Sequence, residues 1–146
     1  MMNRSLTVAL ALQACAAPAL GFDAKTCEDA GVGLAGIATP VAKNHVVLYE
    51  GQVTVYNIDQ IEPACCSKGV AVVLPDREDP LGGSTCTAIV GIGSVDATRS
   101  KRSYDAARGV LLEMATQAFD ADSRLRPGPA LKLRIDLGRS KVSIEP

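Results

Sequence analysis

The chain has 146 residues, with 15 Lys or Arg against 16 Asp or Glu, a net charge of −1 and 47% hydrophobic residues. That is enough apolar material for one domain with its own core, and too mild a charge to select a polyanion or an acidic surface as partner. Aromatics make up 3% and Trp is absent, so platforms for stacking bases are few and no nucleic-acid partner is expected.

The N-terminus reads MMNRSLTVALALQACAAPALGFDAKTC. Arg4 precedes an apolar run over Leu6–Ala17, which is too short for a bilayer that needs roughly 20 apolar residues. A small-residue stretch, APALG, follows. The pattern predicts a cleaved signal peptide over 1–21, cut after Ala19 or Gly21, and one exported globular domain over 22–146. Leu12–Cys15, LQAC, resembles the bacterial lipobox and offers a second route, lipidation of Cys15 and anchoring to the envelope. Soluble export, periplasmic or secreted, is the main expectation, with no transmembrane helix in the mature chain.

Charge is uneven along that domain. Phe22–Thr98 holds four basic and ten acidic residues, whereas Arg99 onward holds ten basic and six acidic. The basic residues are spread along patterned elements, so the two halves read as complementary surfaces of one fold and not as a binding tail.

Residues 44–58, NHVVLYEGQVTVYNI, are rich in β-branched residues and Tyr and break once at Glu50–Gly51, which predicts two strands or a bulged one. GVAVVL, 69–74, reads as a buried strand, and CTAIVGIGSV, 86–95, as another. In SYDAARGVLLEMATQAF, Ser103 is a plausible N-cap and Asp105 sits in the first turn. Tyr104, Ala107, Leu111, Met114, Ala115 and Ala118 then recur at helical spacing, which predicts an amphipathic helix. RLRPGPA reads as a connector. LKLRIDL alternates strictly, GRSK turns the chain and VSIE returns, the pattern of an antiparallel hairpin with one wet face. The expected class is therefore α+β: an antiparallel sheet of about five or six strands with one main amphipathic helix packed on it, stapled by disulfides.

Export leaves Cys27, Cys65, Cys66 and Cys86, an even set that favours disulfides. A bond between Cys65 and Cys66 closes a ring across one peptide unit, and adjacent side chains on extended backbone point to opposite sides. The pair is thus expected to reach apart, one cysteine to Cys27 and the other to Cys86. Reactive thiols usually sit in Cys-x-x-Cys motifs and metal sites have their own ligand spacings, and neither follows Cys65. His45, the only histidine, is the sole candidate partner for a Cys66 nucleophile or a Cys65/Cys66 metal grip.

PDREDPLGG, 75–83, lacks the residue order of a calcium loop, and GVG and GIG lack the rest of a dinucleotide fingerprint. Arg99, Lys101 and Arg102, with Arg124, Arg126 and Lys132, read as a solvated charged surface. No catalytic, metal or cofactor residue is assigned and no cofactor is expected. The functional expectation is an exported, non-enzymatic binding or interaction domain of the bacterial envelope, contacting an as yet unidentified protein or envelope component. The alternative is a thiol-dependent envelope enzyme or metal carrier using Cys65 and Cys66 with His45.

Overall fold

A computed structural model describes residues 21–61 and 65–146. Cys15 and all but the last residue of the expected signal peptide lie outside them. The described chain is nearly all β, with strands β1 (Lys25–Thr26), β2 (His45–Leu48), β3 (Val53–Asp59), β4 (Lys68–Pro75), β5 (Ser84–Ile92) and β6 (Ser94–Val95). They continue as β7 (Lys101–Asp105), β8 (Gly109–Met114), β9 (Thr116–Phe119), β10 (Leu125–Pro127), β11 (Leu131–Asp136) and β12 (Lys141–Glu145). Among the described residues only single-turn 3₁₀ segments are helical.

Every pairing is antiparallel. The five-stranded sheet runs β1-β5-β4-β3-β2, the four-stranded sheet β12-β11-β8-β7, and a small third sheet β10-β9-β6. The two larger sheets share one core. Val46, Leu48, Val53, Val55, Val70, Val72, Leu74 and Ile89 come from the first, and Leu112, Met114, Leu131, Leu133 and Ile135 from the second. These are alternate residues along each strand, as the two-residue period of a pleated strand requires.

The predicted helix is not present, and the class is β-sandwich, not α+β. Residues 103–119 form the end of β7, all of β8 and all of β9. Leu112, Met114 and Thr116 are buried while Ala115 and Gln117 are exposed, a period of two. Asp105, expected in a helical first turn, instead organises a hairpin turn: its Oδ1 accepts from the amides of Ala107 at 2.8 Å and Arg108 at 3.1 Å. The preference of Leu, Met and Ala for helix is worth only tenths of a kcal/mol per residue. Sealing Leu112 and Met114 into the core between β7 and β11 contributes roughly 1.5–3 kcal/mol each, so the tertiary partner decides. RLRPGPA likewise contains β10, which pairs with β9.

The cysteine pairing also differs from expectation. Cys27 bonds to Cys86, and Cys65 to Cys66. β1 pairs with β5 through Thr26 and Thr87, which sets Cys27 opposite Cys86 with Cα atoms 5.4 Å apart, an ordinary disulfide span. The Cys27 amide donates to the Cys86 carbonyl at 3.0 Å. Cys66 has φ +71°, so its backbone is not extended and the rule of opposite-pointing neighbours does not hold there. The Cys27–Cys86 bond pins the N-terminal segment to the outer face of the five-stranded sheet. There Ile58, Ala71 and Ala88 form a second apolar cluster with Ala30, Val32 and Ile37.

Candidate functional site

The chain changes sheets at Ala115: β8 belongs to the four-stranded sheet and β9 to the small third one. β6 pairs with β9, Ser94 against Gln117 and Val95 against Thr116, and a 3₁₀ turn over Ala97–Arg99 follows β6 directly. The divergence leaves a cleft of about 420 Å³ lined by Ser94, Val95, Asp96, Arg99, Thr116 and Gln117, with Pro127 closing one side. Thr116 holds that wall, its Oγ1 donating to the Pro129 carbonyl at 2.6 Å while its own carbonyl accepts from the Gly128 amide at 2.9 Å.

Asp96 is the most constrained group in the cleft. Its Oδ1 accepts from Asn57 Nδ2 at 2.9 Å, from the Thr98 amide at 2.9 Å and from Thr98 Oγ1 at 2.7 Å. Asn57 is buried on the inner face of β3 and fixed in turn. Its Oδ1 accepts from the Ala97 amide at 2.8 Å, its amide donates to the Asn44 carbonyl and its carbonyl accepts from the Ala38 amide. Burial pushes the Asp96 carboxyl up, but the hydrogen bonds from Asn57 and Thr98 and the charge of Arg99 outweigh it and hold the group below the usual carboxylate range. All three hydrogen bonds fall on Oδ1, which leaves Oδ2 without a donor among the described residues. Arg99, exposed on the same turn, makes no ion pair among the described residues.

Neither Asp96 nor Asn57 was singled out by the sequence reading. Signals for both exist: DAT places an acceptor side chain ahead of a turn with a hydroxyl two residues on, and Asn57 interrupts the apolar face of VTVYNI.

The residues that were singled out lie elsewhere. His45, on β2, is opposite Tyr56, with its Nδ1 2.8 Å from the Val41 carbonyl. Cys65 and Cys66 sit in the β3–β4 connection, beyond Asp59, which is three residues past Tyr56 and so about 10 Å along the strand. The structure does not bring His45 to the cysteine pair. Asp76 and Asp79 accept from amides of their own loop, at Glu78, Leu81 and Gly83. Among the described residues no group of three or more His, Cys, Asp or Glu is placed to hold a metal ion.

Some of the basic residues stand opposite or against acidic ones. Lys101, Glu113, Lys132 and Glu145 stand in register across β7, β8, β11 and β12, a row of alternating sign on the outer face. Beside it the Arg134 guanidinium clasps Glu145 at 2.8 and 3.1 Å and donates to the Gly109 carbonyl at 3.1 Å. Arg126 pairs with Asp120 at 2.9 Å. A separate apolar groove of about 390 Å³ runs beside the Cys27–Cys86 bond, between Leu34, Tyr56 and Val73.

Set against known protein families, curated proteins and solved structures, the chain shows no match.

Proposed function

We propose that this chain is an exported, non-enzymatic binding domain of the bacterial envelope, and that the Asp96–Arg99 cleft is where it makes contact. One observation carries the reading. The Asp96 carboxylate is fixed by three donors on one oxygen, its other oxygen has no donor among the described residues, and it lines a cleft together with Arg99, which makes no ion pair among them. A site whose polar groups are already oriented loses little entropy on binding, and a cleft of this size with few convergent polar groups is the usual form of a recognition site. An acceptor and a cation on one turn suit a group that carries both an N–H donor and an anion or carbonyl, as a peptide segment does. The two disulfides are compatible with a periplasmic or secreted location, and no described helix is long and apolar enough to cross a membrane. Anchoring through a lipid on Cys15 is the other arrangement of the same function, and intact mass of protein isolated from the envelope separates the two.

The test is an NMR titration of the labelled, exported form with fractionated envelope peptides and small molecules. Binding moves the amide signals of Ser94–Arg99, Thr116 and Gln117, and those shifts vanish in the Asp96→Asn/Arg99→Ala variant. Turnover of a substrate at the cleft, lost on changing a single polar residue that lines it, overturns the reading.

A further inference from the structure

The four cysteines among the described residues divide into two unlike pairs. Cys27–Cys86 spans 59 positions, joins β1 to β5, and is packed among Ile58, Ala71 and Ala88, with Cys27 itself buried. Cys65–Cys66 spans one position, lies outside both apolar clusters, and holds no two elements together. Cys65 is exposed and Cys66 half-buried. The described residues on either side of them, 59–61 and 67–68, are tied together without the sulfurs. Asp59 is ion-paired with Lys68 and accepts from Ser67 Oγ and from the Ile61 amide at 3.1 Å each, while the Gln60 amide donates to the Ser67 carbonyl at 2.9 Å. With Cys27 and Cys86 committed to each other, the only intramolecular disulfide left to Cys65 and Cys66 among the described cysteines is the one between them.

We propose that Cys65–Cys66 is a thiol–disulfide exchange site whose substrate is a dithiol, either a small molecule or a protein surface presenting two neighbouring thiols. The thiolate of the incoming dithiol attacks the exposed Cys65 sulfur, a mixed disulfide forms, and the Cys65–Cys66 bond breaks. Cys66 leaves as the thiolate and takes up a proton. The second thiol of the substrate then attacks its own sulfur in the mixed disulfide, Cys65 is released and protonated, and the substrate departs as a disulfide. Two electrons and two protons have passed to the protein, and a disulfide oxidant reverses both steps. Because the pair closes no chain loop, opening it leaves the sandwich standing, and because the Asp59–Lys68 base persists, the two thiols stay adjacent and ready to close again. The Cys27–Cys86 staple differs: its two cysteines lie 59 positions apart, so once it is open the chain itself does not hold them together. The site is distinct from the Asp96–Arg99 cleft and stands whether or not that cleft binds a ligand.

The experiment uses the folded, exported form equilibrated in reduced and oxidised dithiothreitol at graded ratios without denaturant, followed by alkylation, intact mass and peptide mapping. The expected result is alkylation of Cys65 and Cys66 at ratios at least tenfold less reducing than those that open Cys27–Cys86, with full reclosure when oxidised dithiothreitol is restored. Opening of Cys27–Cys86 first or together with the pair overturns the proposal, as does a pair that opens only in denaturant or does not reclose. A Cys65→Ser/Cys66→Ser variant supplies the second reading. It is expected to fold with an unchanged urea midpoint and to show no alkylation over the same range, whereas a variant that fails to fold shows the pair to be a staple and ends the proposal.

Discussion

The Tyr49 hydroxyl donates to the Ile135 carbonyl at 2.9 Å and accepts from the Val110 amide at 2.9 Å. Val110 and Ile135 are register partners on β8 and β11, so a side chain from the other sheet bridges two backbone groups of the four-stranded ladder. Tyr49 reaches them from the β2–β3 turn, where Tyr49, Glu50 and Gly51 all have positive φ, at 51°, 55° and 98°. Left-handed backbone is uncommon for a bulky residue, and here the hydroxyl's two bonds offset its cost.

Tyr49→Phe keeps the ring and removes both bonds, stranding the Val110 N–H in a half-buried position. The expected loss is about 2 kcal/mol of unfolding free energy, read from urea denaturation. A change below about 0.5 kcal/mol would mean that water replaces the hydroxyl fully and that the inter-sheet link is incidental.

Gly109 abuts the same junction. Its φ is +86°, and an added Cβ would meet the Tyr49 hydroxyl at 2.8 Å as well as the Ile135 carbonyl. Gly109→Ala is therefore expected to cost about 3 kcal/mol, from strained backbone and collision together. In the Tyr49→Phe background the penalty shrinks, because one of the colliding atoms is gone. A double-mutant cycle giving additive effects within about 0.3 kcal/mol would show that the two residues do not share a site.

Gly109 also marks where the sequence was legible and where it misled. Runs with β-branched residues at 44–58, 69–74 and 86–95 lie on strands, and LKLRIDL with VSIE forms the expected hairpin, because alternation and turn chemistry are local properties. Residues 103–119 misled because Leu111, Met114 and Ala118 satisfy a helical period by composition, in a segment poor in β-branched residues. The contrary signal was DAARG: an Asp accepting from the turn amides and a Gly free to take positive φ, the makings of a short hairpin loop. β1 and β10, two and three residues long, leave no periodic trace, and without β1 the Cys27–Cys86 alignment was not visible. The cleft was hidden for a similar reason. Asp96 and Gln117 are distant in sequence and meet only because β6 pairs with β9.

Removing the long staple tests its structural role. Cys27→Ala/Cys86→Ala opens a loop of some 60 residues, which on the chain-entropy model lowers stability by about 4 kcal/mol. Hydrogen exchange is expected to accelerate most in residues 22–44, which the bond holds to the five-stranded sheet, while β8, β11 and β12 keep their protection until global unfolding. Uniform acceleration across the chain would show that the N-terminal segment unfolds only with the whole.

Acid sensitivity follows from carboxylates whose hydrogen bonds favour the charged form. The Lys68 ammonium, the Ile61 amide and Ser67 hold Asp59 below the usual range. At Asp96, as described above, burial opposes the shift and the donors win. A carboxyl with a lower pKa folded than unfolded binds fewer protons in the native state, so its contribution is complete above its unfolded value near 4 and is lost as pH falls through the folded one. The urea midpoint is expected to stay level from about pH 7 to about pH 5 and to fall below about pH 4. Asp96→Asn retains an oxygen for the Asn57 and Thr98 donors but has no proton to gain. Its acid limb is therefore expected to be shallower than that of the parent, with the Asp59 contribution remaining. Parallel limbs in the two proteins would show that the Asp96 charge does not couple to folding, and would leave the three donors around it without an electrostatic role.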